Sequence, residues 1–335
     1  MKRIISLLLA LALTLSLTAC TAPAEKADDG KLQIVTTLFP YYDFARAIAG
    51  NRADVTLLLS PGREAHSFEP TPLDAVTISE ADVFLYNGGE GEYWVESMLD
   101  AAGEHIAIAS RMMDYVDALN EEYVEGMQGA DGHDHDHEHG SHDDHDHDHE
   151  EDEHGSDEIE YDEHIWTSPK NAVVLCRAVC DAICRADAEN AAFYRANCEN
   201  YCAQLEDLDA RFAALCESAP RRLLIFADRF PMLYFCREYG LDYRAAFHGC
   251  SGDTEPSLAT IKFLIDKVED ENIPVVYTID FGTKKVAAVV SECTGAAIET
   301  LYSMQTVSRA DFDAGETYLT LMERNFEALR KGLNA

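Results

Sequence analysis

The stretch DAENAAFYRANCENYCAQLEDLDARFAALCE, residues 187–217, contains neither proline nor glycine, and the next proline is Pro220. Asp187 is a residue type that caps helix N-termini, and the residues after it are rich in Ala, Leu, Glu and Arg. The spacing predicts one helix of about thirty residues, which at ~1.5 Å per residue makes a rod of about 45 Å. A helix of that length spans a whole domain or joins two.

On both sides of it, strand and helix signals alternate. Upstream, strands are expected at 32–37, 54–59, 82–86 and 105–109, with helices at 41–49, 74–79 and 93–102 between them. Ser168-Pro169 opens a further helix running to about 186. Downstream the rhythm restarts, with strands at 222–227, 243–247, 275–279 and 297–301 and helices at 231–239, 256–271 and 284–292. A last helix, 318–333, closes the chain. Alternation of this kind argues for mostly parallel sheets covered on both faces. The fold class expected is therefore α/β: two Rossmann-like lobes, 32–186 and 218–335, joined by the long rigid helix 187–217. A ligand would sit in the inter-lobe cleft, at the carboxyl ends of the strands.

Across 335 residues there are 62 acidic side chains against 26 basic ones, a formal charge of −36. That balance excludes nucleic acid and an anionic membrane surface as electrostatic partners and points to cations. Hydrophobic residues make up 47%, enough to build buried cores. Ten cysteines are too dilute for a disulfide-stapled scaffold. Cys176, Cys180 and Cys184 recur every four residues, as do Cys198 and Cys202; that spacing usually makes cysteine a small core hydrophobe, with a soft metal face as the alternative that no CxxC pair supports.

Lys2 and Arg3 precede an apolar run, 4–19, too short to span a membrane comfortably. It ends in Leu17-Thr18-Ala19-Cys20, which resembles a bacterial lipobox. The resemblance implies removal of residues 1–19, lipidation at Cys20 and a flexible tether, 20–31, leading to the first lobe. The mature protein is then expected outside the cytoplasm, held to the cell membrane by its N-terminal lipid alone.

Thirteen histidines are distributed unevenly. Nine fall between 133 and 154: His133, His135, His137, His139, His142, His145, His147, His149 and His154, interleaved with eleven Asp or Glu. Such a segment has nothing to bury and is expected to be a mobile insertion. Its imidazoles and carboxylates offer several weak metal sites, an antenna that loses affinity below about pH 6 as the histidines protonate. Four histidines remain. His66 lies in Ser60-Pro-Gly-Arg-Glu-Ala-His-Ser-Phe-Glu-Pro70, after the second strand, and His164 lies in Asp162-Glu-His-Ile-Trp-Thr-Ser-Pro169, before a helix. His248 follows a predicted strand. His105 has no motif around it and reads as a structural or surface residue.

PGREAHSFEPTP and DEHIWTSPKNA strongly resemble the two histidine motifs of the zinc and manganese ABC-transporter solute-binding lipoproteins. The likeness covers nearly the whole mature chain, including the 187–217 helix, TEPSLATI at 254–261 and GETYLTLMERN at 315–325. It implies two α/β lobes, a rigid connecting helix and one metal ion between the lobes. A His-rich acidic insert is typical of the zinc-type members. His66 and His164 are carried over as ligands. The family's third histidine falls on Arg229, which cannot bind a cation, so Asp228 beside it or His248 is expected in its place. Asp280, after the strand of a later unit, resembles the family's carboxylate ligand. Glu64 could orient an imidazole through its second nitrogen.

The expected function is capture of a divalent metal ion, Zn(2+) first and Mn(2+) as the alternative, by a monomer that delivers it to an ABC-importer permease. The alternatives are manganese or iron capture, a surface adhesin or metal buffer, and a secreted zinc hydrolase. No HExxH or GxSxG is present, so an enzyme is not expected.

Overall fold

Buried β-branched and aromatic runs build two separate four-stranded sheets. The first holds β1 (Leu32–Thr36), β2 (Ala53–Leu57), β3 (Val83–Tyr86) and β4 (Ile108–Arg111) in the order β2-β1-β3-β4. The second holds β5 (Leu223–Phe230), β6 (Asp242–His248), β7 (Val275–Ile279) and β8 (Ala297–Leu301) in the order β6-β5-β7-β8. Every pairing is parallel. The structure is a computed structural model that describes residues 30–63, 68–102, 106–128, 160–249 and 255–334. Glu64, His66, His105, Cys20 with the tether before Gly30, and the insert 133–154 lie outside those residues.

The helices are α1 (Phe39–Ala49), α2 (Pro72–Ser79), α3 (Trp94–Ala102), α4 (Pro169–Ala186) and α5 (Ala191–Ser218) up to the second sheet. Beyond it come α6 (Leu233–Tyr239), α7 (Leu258–Asp270), α8 (Lys285–Thr294), the short α9 (Arg309–Asp313) and α10 (Tyr318–Leu333). The long helix forms nearly as expected. Asp187 caps a single 3-10 turn, Ala188–Asn190, by accepting from the Asn190 N–H at 3.2 Å, and the α-helix proper starts one residue later.

Adjacent strand residues feed opposite cores, as both-face burial of a parallel sheet requires. In β1, Ile34 enters the large central core and Val35 a smaller one with Ile78 and Trp94. In β5, Leu224 and Phe226 face the central core, whereas Ile225 and Ala227 face an outer one with Leu264 and Val290. The central core takes residues from both sheets and from α1, α4, α5, α6 and α10. Leu32–Ala335 accordingly packs as one compact unit.

The α5 helix bonds to both lobes. Asn197 donates to the Ile48 carbonyl at 2.9 Å and Tyr201 to Asp43 at 2.6 Å, both on α1. Further along, Asp209 accepts from the Tyr239 hydroxyl at 2.8 Å, and Arg211 holds Glu323 of α10 through two bonds. A connector anchored along its length transmits little hinge bending.

Candidate metal centre

Both sheets change direction at an interior strand pair, β1 with β3 and β5 with β7. Such switch points leave a crevice beyond the strands' carboxyl ends, where ligands bind in open α/β sheets. The Asp162–His164 segment is fastened between the two lobes by bonds from each. From the first lobe, Asn87, directly after β3, donates Nδ2 to the Glu163 carbonyl at 3.0 Å and accepts from the buried Tyr41 hydroxyl. From the second, the Tyr234 hydroxyl on α6 donates to the Asp162 carbonyl at 2.8 Å. The Asp162 N–H donates to the Leu119 carbonyl at 2.9 Å.

His164 is 1% exposed. Asp162 Oδ1 accepts from its backbone N–H at 2.8 Å and lies 3.2 Å from its Nδ1. The ring meets the Trp166 indole edge to face, with centroids 5.6 Å apart. Burial works to lower the His164 pKa, but Asp162, Glu163 and Glu121 outweigh it and hold it above the ordinary value. Three carboxylates converging on one buried imidazole create a field suited to a cation.

Glu163 is itself buried, and its Oε1 accepts from the Gly91 N–H at 2.7 Å. Gly89 is required beside it: its φ is +93°, and a Cβ there would come 2.4 Å from Glu163 Oε1. Glu163 and Phe68 line one pocket with Thr37, Leu58, Glu92 and Trp94. Phe68 follows His66 by two residues and Glu163 precedes His164, so the flanks of both histidine motifs meet at this pocket, although His66 itself is outside the described residues. Burial raises the Glu92 carboxyl to about 7, and the nearby charge of Glu163 adds to the shift.

The second lobe brings up its own carboxylates. Asp228 was expected at a strand-to-helix turn; it lies inside β5, where the pairing with β6 slips between Phe226 and Arg229. The slip re-aims it at the end of β7: Asp228 Oδ2 accepts from Thr278 Oγ1 at 2.6 Å and from the Ile279 N–H at 3.3 Å, and Oδ1 from the Arg229 N–H at 2.9 Å. Gly282 leaves room for it, since a Cβ there would overlap Asp228 Oδ2 at 1.7 Å. Asp280 follows β7 as expected and accepts from the Ser303 N–H at 3.1 Å. Burial, with the Asp228 charge adding to it, raises the Asp280 carboxyl to about 6. Ser303 also accepts at its carbonyl from the Trp166 indole at 2.8 Å, tying the His164 segment to the Asp280 turn.

His248 ends β6 rather than following it. Its Nδ1 lies 2.9 Å from Glu121 Oε1, and its ring packs 5.0 Å from that of Tyr123. The next residue, Gly249, lies against His164, where a Cβ would meet the imidazole at 3.1 Å. The structure thus brings His164 and the end of β6 together, and Asp228 and Asp280 together. The sequence reading missed Asn87, Glu92, Asp162, Glu163 and Glu121. Asp162 and Glu163 stood directly before His164 in the quoted motif, and Asn87-Gly88-Gly89 is a strand-end turn signal; Glu92 and Glu121 carried no local signal.

Zinc-binding lipoprotein AdcA of Streptococcus pneumoniae is 30% identical over 331 residues, which cover 99% of this chain but 61% of AdcA, so the chain spans about three-fifths of that relative's length. High-affinity zinc uptake system protein ZnuA of Bacillus subtilis is 30% identical over 306 residues, covering 90% of this chain and 88% of that one. Among solved structures, the Zn(II)-bound ZnuA-like domain of Streptococcus pneumoniae AdcA superposes with a TM-score of 0.71 at 25% identity, over 91% of this chain and all of that domain. The metal-dependent lipoprotein YcdH of Bacillus subtilis gives 0.72 at 29% identity, over 90% of this chain and all of that one. Residues 34–332 match the family model described as ZnuA, zinc-uptake complex component A, periplasmic, and the chain belongs to that family.

Proposed function

We propose that this protein captures a zinc ion outside the cytoplasm and hands it to the membrane permease of an ABC-type importer, acting as a monomer tethered through lipid on Cys20. The observation that carries the reading is that residues flanking the two histidine motifs, Phe68 and Glu163, line one pocket together. Zinc-binding relatives that match nearly all of this chain support the choice of ion.

The ligand set we propose is His66, His164, His248 and Asp280. His164 and His248 share a feature of metal-binding imidazoles: each has Nδ1 beside a carboxylate, Asp162 and Glu121. Asp228, the competing candidate, already accepts three bonds and fits better as the group that shapes the β7 turn around Asp280. Three imidazoles and one carboxylate suit tetrahedral zinc; replacing His248 by Asp228 would move the site towards manganese. The nine histidines of 133–154 would act as an accessory, weaker reservoir.

Titration calorimetry with zinc and manganese, on the protein lacking 133–154, tests this. One tight zinc ion per chain, lost in His164→Ala, is the expected result. Tight manganese with weak zinc would overturn the ion, and unchanged zinc affinity in His164→Ala would overturn the site.

A further inference from the structure

Away from the cleft, the α4–α5 hairpin buries an unusual run of sulfur. All eight described cysteines are free thiols, and five of them, Cys176, Cys180, Cys184, Cys198 and Cys202, lie at this one helix–helix interface. Along the interface the sulfurs alternate between helices. Cys176 on α4 interacts with both Cys198 and Cys202 on α5, and Cys180 with Cys198. Cys198 and Cys202 are 3.8 Å apart, sulfur to sulfur, and Cys180 and Cys184 are 3.9 Å apart. The Sγ atoms of Cys176, Cys198 and Cys202 all fall within 4.8 Å of one another.

Those spacings match a metal–thiolate centre. With M–S bonds of ~2.3 Å, sulfurs around a tetrahedral ion stand about 3.8 Å apart, and around a trigonal one about 4 Å. We propose that Cys176, Cys198 and Cys202 form a second metal site, for a thiophilic d10 divalent cation such as Zn(II) or Cd(II). Binding through three sulfurs breaks three S–H bonds and releases three protons to solvent, leaving a thiolate–metal unit of charge −1. Arg177, also paired with Glu206 at 3.2 Å, places a positive charge near Cys198 and Cys202 to offset it.

The three sulfurs are no more than 3% exposed, so an ion must enter during folding or through local opening of the hairpin. This site stands apart from the cleft, and the histidine ligands do not contribute to its signature.

The test uses the full chain, reduced, both native and refolded from denaturant with Cd(II), read by thiolate-to-Cd(II) charge-transfer absorption, to which imidazole and carboxylate sites are silent. The expected band saturates at one equivalent, persists in His164→Ala and in Cys293→Ser, and falls at least tenfold in Cys198→Ser. The band should also develop when Cd(II) is added to protein preloaded with Zn(II), because soft thiolates favour the softer ion. If Cys198→Ser fails to fold, Cys176→Ala provides the same loss with a small apolar replacement. Absence of the band in native and refolded protein alike would overturn the proposal and leave the thiols as packing. So would mass spectrometry showing a disulfide between any two of the three.

Discussion

Asp162 and His164 form a closed unit: a single carboxylate oxygen takes the histidine's backbone N–H at 2.8 Å and lies 3.2 Å from its Nδ1. With Nδ1 held against this carboxylate, the ring cannot turn without breaking a bond inside a buried segment. Under the proposed function, Asp162 is thus a positioning residue for the imidazole. Asp162→Asn should lower zinc affinity by about 10- to 100-fold while leaving stoichiometry at one. Competition with a chelator of known affinity reads it; an unchanged affinity would show that Trp166 packing alone orients the ring.

The proton competes with metal in the second lobe. Asp280 is held near 6, so at pH 5 it is protonated in the folded apo protein and must lose that proton to bind a cation. Zinc affinity should therefore rise steeply between about pH 5 and pH 7, with the raised pKa of His164 steepening it further. Asp280→Asn should weaken binding at pH 7 and flatten this slope. Calorimetry across that pH range, in buffers of different ionisation enthalpy, counts the protons released.

Glu92 gives a stability prediction of defined sign. Its carboxyl lies at about 7 in the folded protein against 4.5 unfolded, so its contribution is fully present below 4.5 and is lost as pH rises through 7. The loss amounts to about 3 kcal/mol at most. The apo protein should melt at a lower temperature at pH 7.5 than at pH 5, and Glu92→Gln should shrink that difference, with the raised Asp280 carboxyl supplying a further share. Equal pH dependence in wild type and variant would place the buried charge elsewhere.

Much of this architecture was legible from the chain. The strands 275–279 and 297–301 and the helix 318–333 form as expected because continuous apolar runs and capping residues agree there. The strand expected at 105–109 forms at Ile108–Arg111 instead, where Ile108 to Arg111 pair with Val83 to Tyr86, so pairing partners rather than local propensity set its register. At the candidate site, His164, Asp228 and Asp280 stood out by motif. The groups that aim them were not visible: Tyr234 reaches Asp162 across 72 positions and Asn87 reaches Glu163 across 76. The β-bulge that turns Asp228 towards β7 likewise leaves no periodic trace.

Asp43 supplies the last prediction. It is 1% exposed, and its two oxygens hold three elements: Oδ1 takes Arg46 at 2.9 Å, and Oδ2 takes the Tyr201 hydroxyl at 2.6 Å and the Tyr318 N–H at 2.9 Å. It thereby fastens α1 of the first lobe to the connecting helix α5 and to the start of α10. Asp43→Ala would leave a buried hydroxyl and a buried N–H without acceptors, at about 1–3 kcal/mol each. The expected loss on denaturant unfolding is about 3–5 kcal/mol, the size seen when one partner of a buried charged network is removed. Asp43→Asn keeps one acceptor oxygen and should lose about half as much. Because Asp43 is not among the proposed ligands, zinc affinity at a temperature where the variant is folded should stay within a few-fold of wild type. A loss of affinity matching the loss of stability would mean that the lobes' relative placement, not the ligand loops alone, sets the metal site.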